Sequence, residues 1–176
     1  MDTKTDTDTS ANSNTSKLAH FSVNVDKIKL VNVGNPLSPD AVSMYDGHGL
    51  SAQDRLFFCL RQNTTLGHCV FNPGEKIAVR GDRVHFAQIV ISGDMTASDE
   101  KNNFTYGPGS VIGLAEGMAN LPYSFTVTAT TAVNTRFIPI HDAQQKLMQT
   151  NAGLRSICRT AIMRTLNLQK IPENLQ

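Results

Sequence analysis

Glycine-containing turns divide the middle of this chain into short segments in which apolar and polar residues alternate. Gly74, Gly81, Gly93 and Gly107 stand at breaks between them. The segments are 66–71, 76–79, 84–91, 94–97, 104–106, 125–129 and 134–140. Because successive side chains of a strand point to opposite faces, such segments are typical of half-buried strands. The sequence therefore predicts a β-roll or sandwich.

The stretch 106–129 interrupts this pattern and contains three local structures. The run Tyr106-Gly107-Pro108-Gly109 predicts a turn, because proline presets φ and glycine allows a positive φ. Residues 113–120 are mostly small or helix-forming and predict about two helical turns, after which a strand follows. The first backbone N–H groups of such a short helix attract anions. The stretch is therefore the first place to look for a ligand.

Three further motifs precede this stretch in the chain. They are Phe71-Asn72-Pro73-Gly74-Glu75-Lys76-Ile77, Arg80-Gly81-Asp82 and Val90-Ile91-Ser92-Gly93-Asp94. With the stretch 106–129, they resemble the cyclic nucleotide-binding domain of catabolite-activator-type and protein-kinase-A-regulatory-type proteins, over about residues 56–168. The resemblance implies an α+β fold: an antiparallel, jelly-roll-like β-roll with a short helix in a phosphate-binding cassette at 113–127, and flanking helices at both ends.

The cassette differs from that family at two positions. Family members that bind cyclic nucleotides carry Gly-Glu at the start of the short helix and Pro-Arg before the next strand, whereas this chain has Gly113-Leu114 and Pro122-Tyr123. Leu114 cannot accept a ribose hydrogen bond, and Tyr123 offers one neutral donor in place of a guanidinium. Each lost charged hydrogen bond is worth about 1.5–3 kcal/mol. Losing both weakens binding by roughly two to four orders of magnitude.

The resemblance still makes this region the candidate ligand site. Its residues are Gly113, Leu114, Ala115, Glu116, Tyr123 and Ser124. Glu116 is either a solvated acid or, if the helix is shifted, a group that reaches a sugar hydroxyl. Tyr123 is either a pocket residue that contacts a base or phosphate, or a plug that fills the vacated site. Ser124 is expected where family members place a hydroxyl or small residue near the phosphate.

Beyond residue 141 the apolar spacing becomes helical. A short helix is predicted at 142–149 and a longer one at 154–168. The apolar stripe of the longer helix consists of Leu154, Ile157, Cys158, Ala161 and Ile162, with basic residues between them. In the family that this chain resembles, the corresponding helix covers the pocket or forms a dimer seam. We therefore expect this helix to be a lid or a homodimer contact.

The N-terminal part of the chain lies outside the resemblance. Residues 1–17 are polar and are predicted to be a disordered tail. Alternating residues at 21–25 and 28–33 predict short strands within an extension at 18–50. Ser51 and Asp54 form a capping-box pattern before a helix that ends near residue 62. The domain prediction is thus a tail at 1–17, an extension at 18–50, a roll at 51–140 and helices at 141–176.

Composition excludes several classes of function. The net charge is +1, which gives no basis for nucleic-acid binding. Three cysteines without paired spacing predict free thiols, and the lack of a long apolar run argues against membrane insertion, so we expect a cytoplasmic protein. The five histidines are scattered without a metal-binding spacing, and no nucleophile has a recognisable partner, so no metal, cofactor or enzyme activity is predicted.

Two functions remain open from the sequence. One is a non-enzymatic regulatory or interaction module with a degenerate cassette, which binds a protein partner or a second copy of itself. The alternative is a sensor for a cyclic nucleotide or cyclic dinucleotide that signals to a protein partner through the C-terminal helices. No effector segment such as a helix-turn-helix follows the last helix. The sequence therefore predicts a stand-alone domain.

Overall fold

The computed structural model describes residues 18–30, 39, 43, 44, 47 and 49–175. The predicted tail at 1–17 and the predicted strand residues at 31–33 lie outside these described residues.

Nine strands within the described residues form two antiparallel sheets. They are β1 (Ala19–His20), β2 (Gly67–Phe71), β3 (Lys76–Ala78), β4 (Phe86–Ser92), β5 (Met95–Ser98), β6 (Asn103–Tyr106), β7 (Ser110–Ile112), β8 (Thr126–Ala129) and β9 (Val133–Pro139). The larger sheet has the order β1-β7-β4-β9-β2, and the smaller has the order β3-β8-β5-β6. The predicted α+β fold with an antiparallel β-roll is confirmed.

Helices lie before, within and after the roll. They are α1 (Val25–Leu30), α2 (Ala52–Gln62), α3 (Leu114–Met118), α4 (Ile140–Gln149), α5 (Ala152–Thr165) and a 3-10 helix at Glu173–Leu175. The helix α2 begins and ends as the capping-box pattern predicted: Ser51 caps Asp54 N–H, and the Asp54 side chain accepts from Ser51 N–H. The two C-terminal helices begin two residues earlier than predicted.

The core of the roll is apolar and almost fully enclosed. Val90, Met95, Val127 and Val133 have no exposed surface, and they pack together between the two sheets. Alternate residues of β4 point the other way: Ile89 packs on Phe57 and Phe58 of α2 and on Ile28 of α1. Because α1 and α2 cover the outer face of the larger sheet, its central strand is buried on both sides.

The strands predicted at 21–25 and 28–33 are wrong over their described residues, because 21–24 lie in no strand and 25–30 form α1. The Asn24 side chain accepts a hydrogen bond from Lys27 N–H at 3.0 Å, and Ile28 N–H donates to Asn24 O at 3.1 Å. Asn24 therefore acts as an N-cap, which opens a helix at Val25 and ends the alternation. The helix places Ile28 in the cluster on the outer face of the larger sheet, where only 1% of its surface is exposed.

Asp54 connects α2 to the N-terminal segment. Its carboxylate accepts hydrogen bonds from Asn24 N–H at 2.7 Å and from Ser51 N–H at 3.0 Å, and from Ser51 Oγ at 2.8 Å. Burial by itself raises the pKa of the Asp54 carboxyl, but these hydrogen bonds and the charge of Lys27 outweigh burial. The pKa therefore lies below its ordinary value of 3.8.

Asp54→Ala is expected to lower the free energy of unfolding by about 1–3 kcal/mol at neutral pH, because buried donors lose a charged acceptor. Since the folded-state pKa is depressed, this stabilisation is present above pH 3.8 and is lost as the pH falls through the folded-state pKa. Urea unfolding at several pH values measures the difference in the free energy of unfolding between the parent and the variant. If this difference stays constant as the pH falls below 3.8, the contribution of Asp54 does not depend on its charge.

Candidate functional site

The predicted cassette lies between β7 and β8. Gly113, directly after β7, has a φ of 75°, a conformation that glycine adopts without steric cost. This turn lets α3 begin at Leu114, and Gly117 N–H closes the first helical hydrogen bond to Gly113 O at 2.9 Å. Beyond α3 the chain reverses at Asn120, which has a φ of 54°. The turn, short helix and strand predicted from the sequence are all present.

Backbone hydrogen bonds hold the end of the cassette against the loop that leads into β4. Tyr123 N–H donates to Asp82 O at 3.0 Å, and Gly81 N–H donates to Tyr123 O at 3.0 Å. Arg83 and Pro122 form an antiparallel bridge beside them. The backbone of the roll therefore fixes the point from which the Tyr123 side chain projects.

The Tyr123 side chain fills the space beside the start of α3. Its hydroxyl donates a hydrogen bond to Phe86 O at 3.0 Å, and its half-buried ring packs on the core of the roll. A Cβ built on Gly113 lies 2.5 Å from Tyr123 Cε1, so the ring stands directly over the first residue of the cassette. Burial raises the pKa of the Tyr123 phenol, and the carboxylates of Glu116 and Asp82 raise it further.

Leu114 lies in an apolar cluster that joins three elements. It packs, half-buried, with Val84 and Ala87 beside β4 and with Ile140 at the start of α4. Tyr123 packs against the same cluster. Leu114 and Tyr123 therefore contribute to a common apolar contact, where a buried charge would need a partner.

Glu116 is buried, so the expectation of a solvated acid is wrong. Only 8% of its surface is exposed. With Ala115 it lines a very small cavity shared with β1, β7 and the end of α5, where Thr165 and Leu166 lie. Its burial arises because the C-terminal helix and the N-terminal strand close over α3.

Ser124, the last residue of the candidate site, is half-buried directly after Tyr123.

Two cavities of about 410 Å³ each lie beside the cassette helix. One lies between α4 and α5, with Met118 of α3 in its wall. The other is lined by Arg83, His85 and His141, together with Gly117 and Asn120 of the cassette. Neither wall contains Gly113, Leu114, Tyr123 or Ser124.

The apolar stripe predicted on the last helix is largely exposed. Leu154 is 45% exposed and Ile157 is 67% exposed, and Ala161 is exposed as well. Cys158 and Ile162 are half-buried, and no side chain of α5 is fully buried. Most of the stripe therefore faces solvent, although the C-terminal end of α5 lies against α3.

The described residues contain neither a candidate metal cluster nor a membrane-spanning helix. No group of three or more His, Cys, Asp or Glu side chains could hold a metal ion there. Among the helices that the structure describes, none is long and apolar enough to cross a bilayer. Cys59, Cys69 and Cys158 are free thiols, and burial raises the pKa of the Cys59 thiol.

Comparison with known proteins finds similarity in structure only. No family model matches the sequence, and no curated protein matches it. Similar solved structures include an EAL enzyme with cAMP and cyclic-di-GMP bound, which is 17% identical with a TM-score of 0.48. That match covers 55% of this chain and 27% of the other, so this chain spans little more than a quarter of that enzyme's length.

Two other similar structures belong to regulatory parts of protein kinase A. PKAR CBD2 bound to Sp-2Cl-cAMPS is 16% identical with a TM-score of 0.45, and the match covers 86% of this chain and 89% of the other. The regulatory subunit of a cAMP-independent protein kinase A from Trypanosoma brucei is 20% identical with a TM-score of 0.41, over 58% and 40%. At these identities and scores the likeness carries no information about ligand or partner.

The position of the Tyr123 ring over Gly113 can be tested by a double-mutant cycle. Gly113→Ala is expected to cost about 2–4 kcal/mol, from the positive φ and from overlap of the new Cβ with the ring. In a Tyr123→Ala background the overlap with the ring disappears, while the tight contact with Val84 Cγ1 at 3.0 Å remains, so the same substitution should cost about 1–2 kcal/mol less. Urea unfolding of the four proteins measures the coupling. If the effects of Gly113→Ala and Tyr123→Ala on the free energy of unfolding simply add, the ring does not contact Gly113.

Proposed function

We propose that this chain is a non-enzymatic regulatory or interaction module that does not bind cAMP or cGMP tightly. The observation that carries the proposal is the Tyr123 side chain, which lies over Gly113 while its hydroxyl donates to Phe86 O. Its single donor is thus engaged by the protein itself. A cyclic phosphate in the cassette would have to displace the ring and would gain no guanidinium in exchange.

Leu114 supports the same proposal from the sugar side of the cassette. Its side chain packs on Val84, Ala87 and Ile140, and it has no oxygen to accept a ribose hydroxyl. Glu116 lies two residues further along α3, but it is buried towards α5 and β1. A nucleotide in this cassette would therefore lack the two charged contacts on which family members rely.

The proposed output surface is the exposed face of α5. Leu154, Ile157 and Ala161 recur at helical spacing, and their exposure makes an apolar stripe that a partner can cover. We assign to this stripe the contact with a second copy of the chain or with another protein. The arginines between the apolar residues give the stripe a polar border, as interfaces generally have.

Calorimetric titration tests the ligand part of this proposal. We expect no saturable heat with cAMP or cGMP at concentrations where an intact cassette is filled. Binding in the micromolar range would overturn the proposal. A thermal-shift screen should include cyclic di-GMP and cyclic di-AMP, because a ligand that binds only the folded state raises the melting temperature. A saturable rise with one of them would favour the alternative, a sensor for that dinucleotide.

Ile157→Glu tests the proposed output surface. Because Ile157 is 67% exposed, the substitution should change the free energy of unfolding by less than about 0.5 kcal/mol. It should nevertheless abolish any self-association that sedimentation equilibrium detects in the parent protein. Gln145→Glu, at an exposed position of α4, is the matched control and should leave association unchanged. Equal association of both variants would exclude the α5 stripe as a self-association surface.

A further inference from the structure

The groove between α4 and α5 has an apolar floor. Met118 at the end of the cassette helix is 6% exposed, and Leu175 of the 3-10 helix is also 6% exposed. Both line the groove, whose volume is about 410 Å³, together with Leu147, Met148 and Ala152. A volume of this size lies within the range of about 300–1,000 Å³ that small-molecule sites occupy.

The chain itself closes one end of the groove. The helix α5 ends where Asn167 adopts a φ of 52° and Leu168 N–H donates to Met163 O at 2.9 Å, a Schellman arrangement that reverses the chain. The reversal brings the 3-10 helix back to the groove, where Leu175 is buried beside residues of α4 and α5. The groove thus has a floor, two helical walls and one closed end.

The α5 wall of the groove is cationic. Arg155 and Arg159, one helical turn apart, both line it together with Ser156, and no aspartate or glutamate among the described residues lines the same cavity. Arg155 Nη1 donates to Met148 O at 3.5 Å. Arg159 Nε is buried and has no hydrogen-bond acceptor in the part of the chain that the structure describes. A buried guanidinium N–H without an acceptor is uncommon, and it calls for a ligand or water that supplies one.

We propose that this groove binds a small amphiphilic anion, with an apolar body and a carboxylate head. The apolar body lies along Met118, Leu147 and Leu175, where its burial is favoured by the hydrophobic effect. The carboxylate accepts hydrogen bonds from Arg155 and Arg159, since a guanidinium presents paired donors that match a carboxylate. This site shares Met118 with the cassette but contains none of Gly113, Leu114, Tyr123 or Ser124, and it does not depend on whether the cassette binds a nucleotide.

A ligand in this groove would contact the cassette helix directly. Met118 belongs to α3 and forms part of the floor. Gln144, in the α4 wall, donates from Nε2 to Gly117 O at 3.1 Å and to Asn120 Oδ1 at 3.3 Å. Occupation of the groove should therefore alter the environment of α3 as well as that of α4 and α5.

Nuclear magnetic resonance with octanoate as the probe tests the site. With methyl-labelled methionine, the Met118 and Met148 signals should shift in a saturable way, whereas Met95, enclosed in the roll with no exposed surface, should not. The uncharged analogue 1-octanol should bind at least about tenfold more weakly, because it lacks the charge that the arginines recognise. Equal affinity for the two probes, or no saturation with octanoate, would overturn the proposal.

Three variants test whether binding depends on the arginine wall of the groove. Arg155→Gln combined with Arg159→Gln should weaken octanoate binding at least about tenfold and leave 1-octanol binding unchanged. Arg164→Gln, on the same helix but outside this groove, is the matched control and should bind octanoate as the parent does. Ser156→Trp should block both probes by filling the groove. Unchanged octanoate affinity in the double variant would contradict the proposal.

Discussion

Replacing Leu114 by glutamate and Tyr123 by arginine is expected to give the protein measurable affinity for cAMP or cGMP. The two substitutions supply an acceptor for the ribose hydroxyl and a bidentate cation for the phosphate, at the positions that match the family's motif. Each charged hydrogen bond is worth about 1.5–3 kcal/mol. The expected gain over the parent protein is therefore roughly two to four orders of magnitude in affinity.

Calorimetry on the double variant measures this gain, and two controls make the result specific. Leu114→Gln with Tyr123→Met has side chains of similar size without charge and should not gain binding. Either single substitution alone should gain less than the pair, since each supplies one of the two contacts. Because Leu114 and Tyr123 pack in a common apolar cluster, circular dichroism must show that the variant is folded. A folded double variant without binding would contradict our assignment of these positions.

Gly93→Ala is expected to be among the most destabilising single substitutions in the roll. Gly93 has a φ of 89°, and a Cβ built there meets the backbone of Ala132 and lies 2.8 Å from Val133 Cα. Backbone atoms of a paired strand cannot move aside as a flexible side chain can. We expect a cost of about 2–5 kcal/mol, the sum of about 1–2 for the left-handed backbone and about 1–3 for overpacking.

Gly74→Ala is the matched control for this substitution. Gly74 has nearly the same φ, 87°, but a Cβ built there meets nothing within 4 Å. Its cost should be that of the backbone conformation alone, about 1–2 kcal/mol. The difference between the two variants in urea unfolding therefore isolates the clash at Gly93. Equal costs would mean that the turn between β4 and β5 relaxes enough to accommodate a methyl group.

Local chemistry explains why most of the roll could be predicted. The Ser51–Asp54 capping box and the glycines at 74, 81 and 93 act within a few residues, so the sequence contains the whole interaction. The prediction failed at α1. The alternation of Phe21, Val23 and Val25 indicated a strand, whereas the Asn24 side chain caps a helix that begins at Val25. Alternation over so few residues is weak evidence against a cap.

Features that depend on distant partners were not predictable from the sequence. The strand β7 has three residues and is defined by its pairing with β1 and β4 on its two sides. Glu116 is buried by the end of α5 and by the N-terminal strand, which no local pattern indicates. The arginine pair of the α4–α5 groove had a visible signal, the four-residue spacing of Arg155 and Arg159. That spacing does not show that the 3-10 helix packs back against α4 and α5, which is what closes one end of the groove.

The Tyr123 side chain is also an intrinsic chromophore. The chain contains three tyrosines and no tryptophan, so tyrosine dominates its near-ultraviolet absorbance. With its hydroxyl bonded to a carbonyl and its pKa raised by burial, the Tyr123 phenol ionises at a higher pH than a free tyrosine. On our proposal for the cassette, we expect a molecule that enters it to displace this ring. The alkaline absorbance titration of the unlabelled protein is therefore an optical readout of whether the cassette is closed or open.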